Sequence, residues 1–219
     1  MFKTIIFDLD GTLTDPKEGI INCIHEALTK LERAIPLTDN LTWSIGPPLT
    51  LVFSKLLQTQ NSAIIDRAIA YYRDRYGKKG YLENIIYPGV VRLLEQLKAQ
   101  GYKLFVATSK LEVNAIKILK HFAIVEFFSN VYGASGDGVL STKEEILAHL
   151  LKKEQIQGCE CLMIGDREYD VIGAKQHQMD CLGVLYGYGT AQELQTAGAV
   201  ALCDSPEHVA SWLLQFPNA

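Results

Sequence analysis

The sequence predicts an α/β protein, an open parallel sheet flanked by helices with an all-helical segment inserted after the first strand. Three observations carry this. Short, near-continuously apolar runs recur along the 219 residues, and amphipathic stretches of helical period separate them. One long interval, from about Asp15 to Tyr87, holds helical periods but no convincing strand. Strands that alternate with helices need right-handed crossovers, which cover both faces of a parallel sheet.

The first strand is Thr4 to Asp8, an apolar run that stops on carboxylates. Asp15 then reads as a helix N-cap, with Pro16 at the first helical position and Glu18 closing a capping box. Three apolar stripes follow: Ile20, Ile24, Ala27, Leu28 and Leu31; Leu49, Val52, Phe53 and Leu56; Ile65, Ala68, Ile69, Tyr72 and Tyr76. The chain returns through "IIYPGV", where Pro88 and Gly89 mark a turn. The expected domains are therefore 1–14 with 88–219 for the sheet core, and 15–87 for the helical insertion. Val90, Leu93, Leu94 and Leu97 form the next stripe, stopped by Gly101. The remaining strands are Lys103 to Thr108, Asn130 to Gly133, Cys161 to Gly165, Cys181 to Leu185 and Val200 to Cys203.

Composition narrows the function. Hydrophobic residues make up 48% of the chain, enough for a full core, and the net charge of −4 with no long charge run argues against a nucleic-acid surface. No apolar stretch is long enough to span a bilayer and the start lacks a signal pattern, so a cytoplasmic protein that does not enter membranes is expected. The five cysteines form no even framework and no CxxC pair, and Cys159 with Cys161 reads as ordinary strand-flanking residues. An exposed apolar patch and an inter-domain face look alike in pattern, which leaves monomer and homodimer both open.

Chemistry concentrates in "FDLDGTLT". Asp10-Gly11 alone suits a hairpin turn. A calcium loop is excluded, because its sixth and twelfth positions hold Leu13 and Gly19 instead of glycine and glutamate. A hairpin leaves unexplained why Asp8 ends an apolar strand, where an unpaired carboxylate is costly to desolvate. A metal ion removes that cost, and ligands of open α/β sheets sit at the carboxyl ends of strands.

"DLDGT" resembles the first motif of the haloacid dehalogenase superfamily, and the other three motifs follow in order. Thr108, followed by Ser109 and Lys110, ends a strand; Lys143 stands in "LSTKEEIL"; Asp166 and Asp170 stand in "GDREYD". The resemblance implies a Rossmann-like core and phosphoryl transfer through an aspartyl-phosphate. Asp8 would be the nucleophile and Asp10 the general acid and base, with Thr108, Ser109 and Lys143 holding phosphate. Mg2+ would be held by Asp8, the Asp10 main-chain carbonyl and Asp166, with Asp170 behind them. The helical insertion resembles the cap of phosphoglycolate phosphatase-like members, which implies a small phosphorylated metabolite as substrate. A 5'-nucleotidase or sugar-phosphate phosphatase is the alternative, ahead of a phosphomutase or a silent binding protein.

Lys143 also has a physical argument of its own. Ser141 and Glu144 read as a capping box that puts Lys143 in the first helical turn, where the helix dipole disfavours a cation by about 0.3 to 1 kcal/mol. Beside an anion the same lysine is an asset, and its loss is expected not to lower stability. Lys110, read as early in a helix with Ser109 and Glu112 around it, is the rival for this role.

Overall fold

A computed structural model of the chain describes residues 2–35, 38–136 and 139–215. They form two compact units, Met1–Asp15 with Ile86–Ala219, and Pro16–Ile85.

The first unit is built on a six-stranded, all-parallel sheet. Strand β1 (Thr4–Phe7) is followed by a two-residue strand β2 (Thr14–Asp15), and the chain re-enters through β3 (Ile85–Ile86), which pairs with β2 in a small separate sheet. The main sheet then takes β4 (Lys103–Leu111), β5 (Asn130–Ala134), β6 (Cys161–Gly165), β7 (Asp180–Val184) and β8 (Ala201–Cys203), in the spatial order β5-β4-β1-β6-β7-β8. From β1 the chain builds outward to β4 and β5, then comes back to β6 on the other side. The strand order therefore reverses beside β1, the position where such sheets open a ligand crevice. Phe7 is level with Val106 of β4 and Ile164 of β6, so β1 and β6 end close together while β4 runs on past them to Leu111. Ile5, Ile6 and Phe7 are completely buried, as a central strand covered on both faces requires.

Six helices, α4 (Val90–Ala99), α5 (Glu112–His121), α6 (Lys143–Glu154), α7 (Glu168–Gln176), α8 (Ala191–Ala197) and α9 (Pro206–Leu213), numbered after the three of the other unit, belong to this unit among the described residues. The apolar stripe of α4 is buried at all four expected positions, and Gly101 behind it takes a φ of 81°. One core cluster runs from Ile6, Phe105 and Met163 to Ile146, Leu147 and Leu150 of α6.

In the second unit, α1 (Lys17–Lys30), α2 (Leu49–Leu57) and α3 (Ser62–Arg75) bury much of the expected stripes, with Val52 and Phe53 the buried pair of α2. The start of α1 differs from expectation. Pro16 is its N-cap and no side chain caps it, because Asp15 is drawn into β2 and accepts a bond from Tyr188. After α3 the helix continues as one wide turn over Tyr76–Gly80. No helix among the described residues is long and apolar enough to cross a membrane.

Candidate active site

Asp8 is the first residue past β1, and its amide continues the sheet by donating to the Ile164 carbonyl at 2.9 Å. Gly11 then turns the chain with a φ of 85° and closes a loop by donating to the Thr14 carbonyl at 2.8 Å. A Cβ at Gly11 would collide with the Asp166 carboxylate, so only glycine admits both the turn and this approach. Thr108 in β4 is 2% exposed, and Asp166, just past β6, is completely buried. The ends of β1 and β6 thus deliver Asp8 and Asp166 beside Thr108, which lies within the neighbouring β4.

The two lysines divide the carboxylates between them. Lys143 Nζ lies 2.9 Å from Asp8 Oδ1 and 2.8 Å from Asp170 Oδ1, and donates to the Ala107 carbonyl at 2.8 Å. Lys110 Nζ lies 2.7 Å from Asp10 Oδ2. Lys110 belongs to β4 and not to a helix, since the strand runs on past Thr108 to Leu111 before α5 begins. Thr108 accordingly caps no helix; its Oγ1 accepts from the Lys110 amide at 3.3 Å. Ser109 is its half-buried neighbour in the same strand.

The capping box of α6 sits one residue later than expected, on Thr142 and Glu145, which leaves Lys143 as the first helical residue. A buried position among carboxylates, and not the helix terminus, decides that lysine's energetics. Burial alone would lower its pKa, yet the charges of Asp170 and Asp8 raise it overall, so it stays an ammonium. Asp170, in the first turn of α7, meets Lys143 through one oxygen and accepts from the Arg167 amide at 3.1 Å through the other.

Carboxylates outnumber cations here. Oxygens of Asp8, Asp166 and Asp170, all buried, lie within 4.8 Å of one another, and Lys143 is the cation paired with this group. Burial, reinforced by the charges of Asp170 and Asp8, pushes Asp166 well above the usual carboxylate range. Burial also raises Asp170 to about 6 against the pull of Lys143, and raises Asp10 against the pull of Lys110. Asp166 Oδ1 and Asp10 Oδ1 are buried without a hydrogen-bond partner. A desolvated, under-compensated cluster of hard oxygen donors, with Asp166 Oδ1 left without a hydrogen-bond partner, fits a small divalent cation.

A loop that motif reading passed over completes the site. In "YGYGT" the Tyr188 amide donates to Asp166 Oδ2 at 2.8 Å, and a Cβ at Gly187 would strike the Asp166 side chain and the Gly11 carbonyl. Alternating tyrosine and glycine directly after a strand was the available signal.

The carboxylate cluster and its two lysines thus stand where the strand order of the parallel sheet reverses. Residues 5–184 match the model of the haloacid dehalogenase-like hydrolase family, and the chain belongs to that family. It is 41% identical over 204 residues to a 5'-nucleotidase of Pseudomonas aeruginosa, covering 92% of this chain and 91% of that one. A phosphoglycolate phosphatase of Psychrobacter arcticus is 29% identical over 97% of this chain and 96% of its own. Tyrosine-protein kinase PtkA of Mycobacterium tuberculosis is 38% identical over 86% of this chain but 64% of its own length. The crystal structure of a predicted phosphatase from Clostridium acetobutylicum matches 98% of this chain and 99% of its own with a TM-score of 0.94 at 39% identity.

Proposed function

We propose that this member of the haloacid dehalogenase-like hydrolases, a phosphoric monoester hydrolase, removes phosphate from a small metabolite through an aspartyl-phosphate at Asp8 and depends on Mg2+. The observation that carries the reading is the division of the site: a metal-fitting carboxylate cluster with Lys143 on one side, and the Asp10–Lys110 pair on the other.

Asp8 and Asp166, with the main-chain carbonyl of Asp10, would hold the ion, and Asp170, engaged by Lys143 and the Arg167 amide, would orient that lysine from behind. Mg2+, when bound, supplies charge neutralisation that lets a phosphate dianion approach the carboxylates. A carboxylate oxygen of Asp8 attacks phosphorus and forms an acyl phosphate, a mixed anhydride, as the phosphorus–oxygen bond to the leaving alcohol breaks. Asp10 gives its proton to that leaving oxygen. Water then attacks the phosphorus of the intermediate, Asp10 takes up the water's proton, and inorganic phosphate leaves with Asp8 restored. The raised affinity of Asp10 for its proton suits the first half of this cycle. Thr108, Ser109 and Lys143 would hold the equatorial oxygens, where transition-state charge accumulates.

The helical unit Pro16–Ile85 would act as the cap that selects the alcohol. The relatives named 5'-nucleotidase and phosphoglycolate phosphatase support a small soluble phosphomonoester and leave open which one. Transfer to a protein tyrosine is the second reading, favoured by the relative named as a kinase.

Phosphate release from nucleoside 5'-monophosphates, phosphoglycolate and a chromogenic aryl phosphate decides between these readings. Mg2+-dependent release, lost with EDTA and restored by Mg2+ more than by Ca2+, is expected. Equal activity in metal-stripped protein overturns the metal. No release from any ester, with label passing from a nucleoside triphosphate to tyrosine, overturns the hydrolase mechanism.

A further inference from the structure

Tyr188 is held at both ends. Its amide donates to Asp166 Oδ2, and its phenol donates to Asp15 Oδ1, the last residue of the first core segment. The Tyr87 hydroxyl shares a hydrogen bond with the Tyr188 side chain, and the Tyr87 amide donates to the Leu13 carbonyl at 3.1 Å. Asp15 and Tyr87 flank the two points where the chain leaves and re-enters the core unit. The backbone on either side of Tyr188 packs directly on Asp166, since a Cβ at Gly187 would meet the Asp166 side chain and one at Gly189 would meet the Asp166 carbonyl. With Oδ2 of Asp166 engaged by this loop, the loop's placement sets the direction of Oδ1, the oxygen left without a hydrogen-bond partner.

We propose that Tyr188 is a positioning residue: its hydroxyl, anchored on Asp15, holds the 186–189 loop so that Asp166 presents Oδ1 to the bound cation. The mechanism above does not use Tyr188, and this inference rests on its reading of Asp166 as a metal ligand. Partners behind a ligand fix its orientation, and their loss weakens metal binding even where every ligand is retained.

Mg2+ titrated calorimetrically into the metal-free full chain tests this in four proteins: wild type, Tyr188→Phe, Asp15→Asn and the double variant. Tyr188→Phe keeps the ring and the amide and removes one oxygen, so a folded protein by circular dichroism is expected. The proposal expects roughly tenfold weaker Mg2+ binding in each single variant. It also expects the double variant to match the singles within about twofold, because both remove the same link. Wild-type affinity in folded Tyr188→Phe overturns the proposal, even if melting temperature falls, since the bond would then be structural only. Additive losses in the double variant overturn it too, by showing that the two residues act separately. A wild-type protein that binds no Mg2+ overturns the metal reading together with this inference, whereas wild-type binding that Tyr188→Phe leaves unchanged overturns this inference alone.

Discussion

Arg75 in the helical unit and Lys143 in the core unit are both cations set among carboxylates, and they are balanced in opposite ways. Arg75 makes a two-pronged contact with Glu83 at 2.6 and 2.8 Å, reaches Glu26 at 3.2 Å, and touches the Cys23 sulfur at 3.3 Å. The Glu83 carboxyl is held below its usual range by its hydrogen bond from Arg75, the mark of an ion pair that closes its own charge. Around Lys143 the carboxylates are buried deeper and pushed the other way, with Asp166 and Asp170 both raised. A structural pair is complete within the chain. On the function proposed above, the core cluster would be completed by a cation that the chain does not supply, and the cost of burying its carboxylates under-compensated would favour binding that cation.

The largest break in this contrast comes from the site itself. Asp8→Asn keeps the shape and removes the proposed nucleophile, so kcat should fall at least about a thousandfold. Retention of more than a few per cent of activity, measured by phosphate release, removes Asp8 from that role. Asp10→Asn should lower kcat by about 10² to 10⁴ through lost proton transfer, most of all on esters with poor leaving groups. A loss independent of the leaving group argues against the acid assignment.

Lys143→Met should lower kcat/KM at least about tenfold, by loss of a charge-assisted partner for phosphate. In contrast to the expectation from helix position alone, it should also destabilise the protein. Lys143 is the cation paired with both Asp8 and Asp170, and leaving buried charges unpaired costs about 3 to 5 kcal/mol. Thermal melts of metal-free protein check this, and added Mg2+ should recover part of the loss. Lys110→Met, which unpairs Asp10, should have the smaller kinetic effect.

Arg75→Met sharpens the comparison from the other side. It should cost about 1 to 2 kcal/mol, reduced because a quarter of the Glu83 side chain is exposed, and the loss should be equal with and without Mg2+. A loss that Mg2+ repairs would link the two clusters. The smallest expected effect is on pH. In the metal-free protein Asp166 and Asp170 bind protons at higher pH when folded than when unfolded, so the folded state holds more protons and unfolding free energy rises as pH falls. Melting temperature should therefore climb by a few degrees from about pH 7.5 to about pH 5.5 in EDTA, and the slope should flatten or reverse in Mg2+. A falling melting temperature in EDTA over that interval would mean that the cluster is already compensated.

The sequence by itself determined the alternation of strands and helices, the helical stripes, and the placement of Asp8 and Asp166 just past strands and of Lys143 at a helix start, because local period and turn chemistry write themselves in neighbouring residues; the strand expected to stop at Thr108 instead runs on to Leu111. Boundaries that depend on partners were not legible. Thr142, and not Ser141, caps α6, and Asp15 leaves its helix to meet a tyrosine 173 positions away. The pairing of Lys110 with Asp10 and of Lys143 with Asp8 and Asp170 follows from the placement of β1 between β4 and β6, where Thr4 pairs with Lys103 on one side and with Cys161 on the other. No local pattern encodes which of two lysines faces which carboxylate, nor that the Tyr188 loop closes on Asp166. Those choices belong to the tertiary structure, where burial makes each unmatched charge costly enough to select its partner.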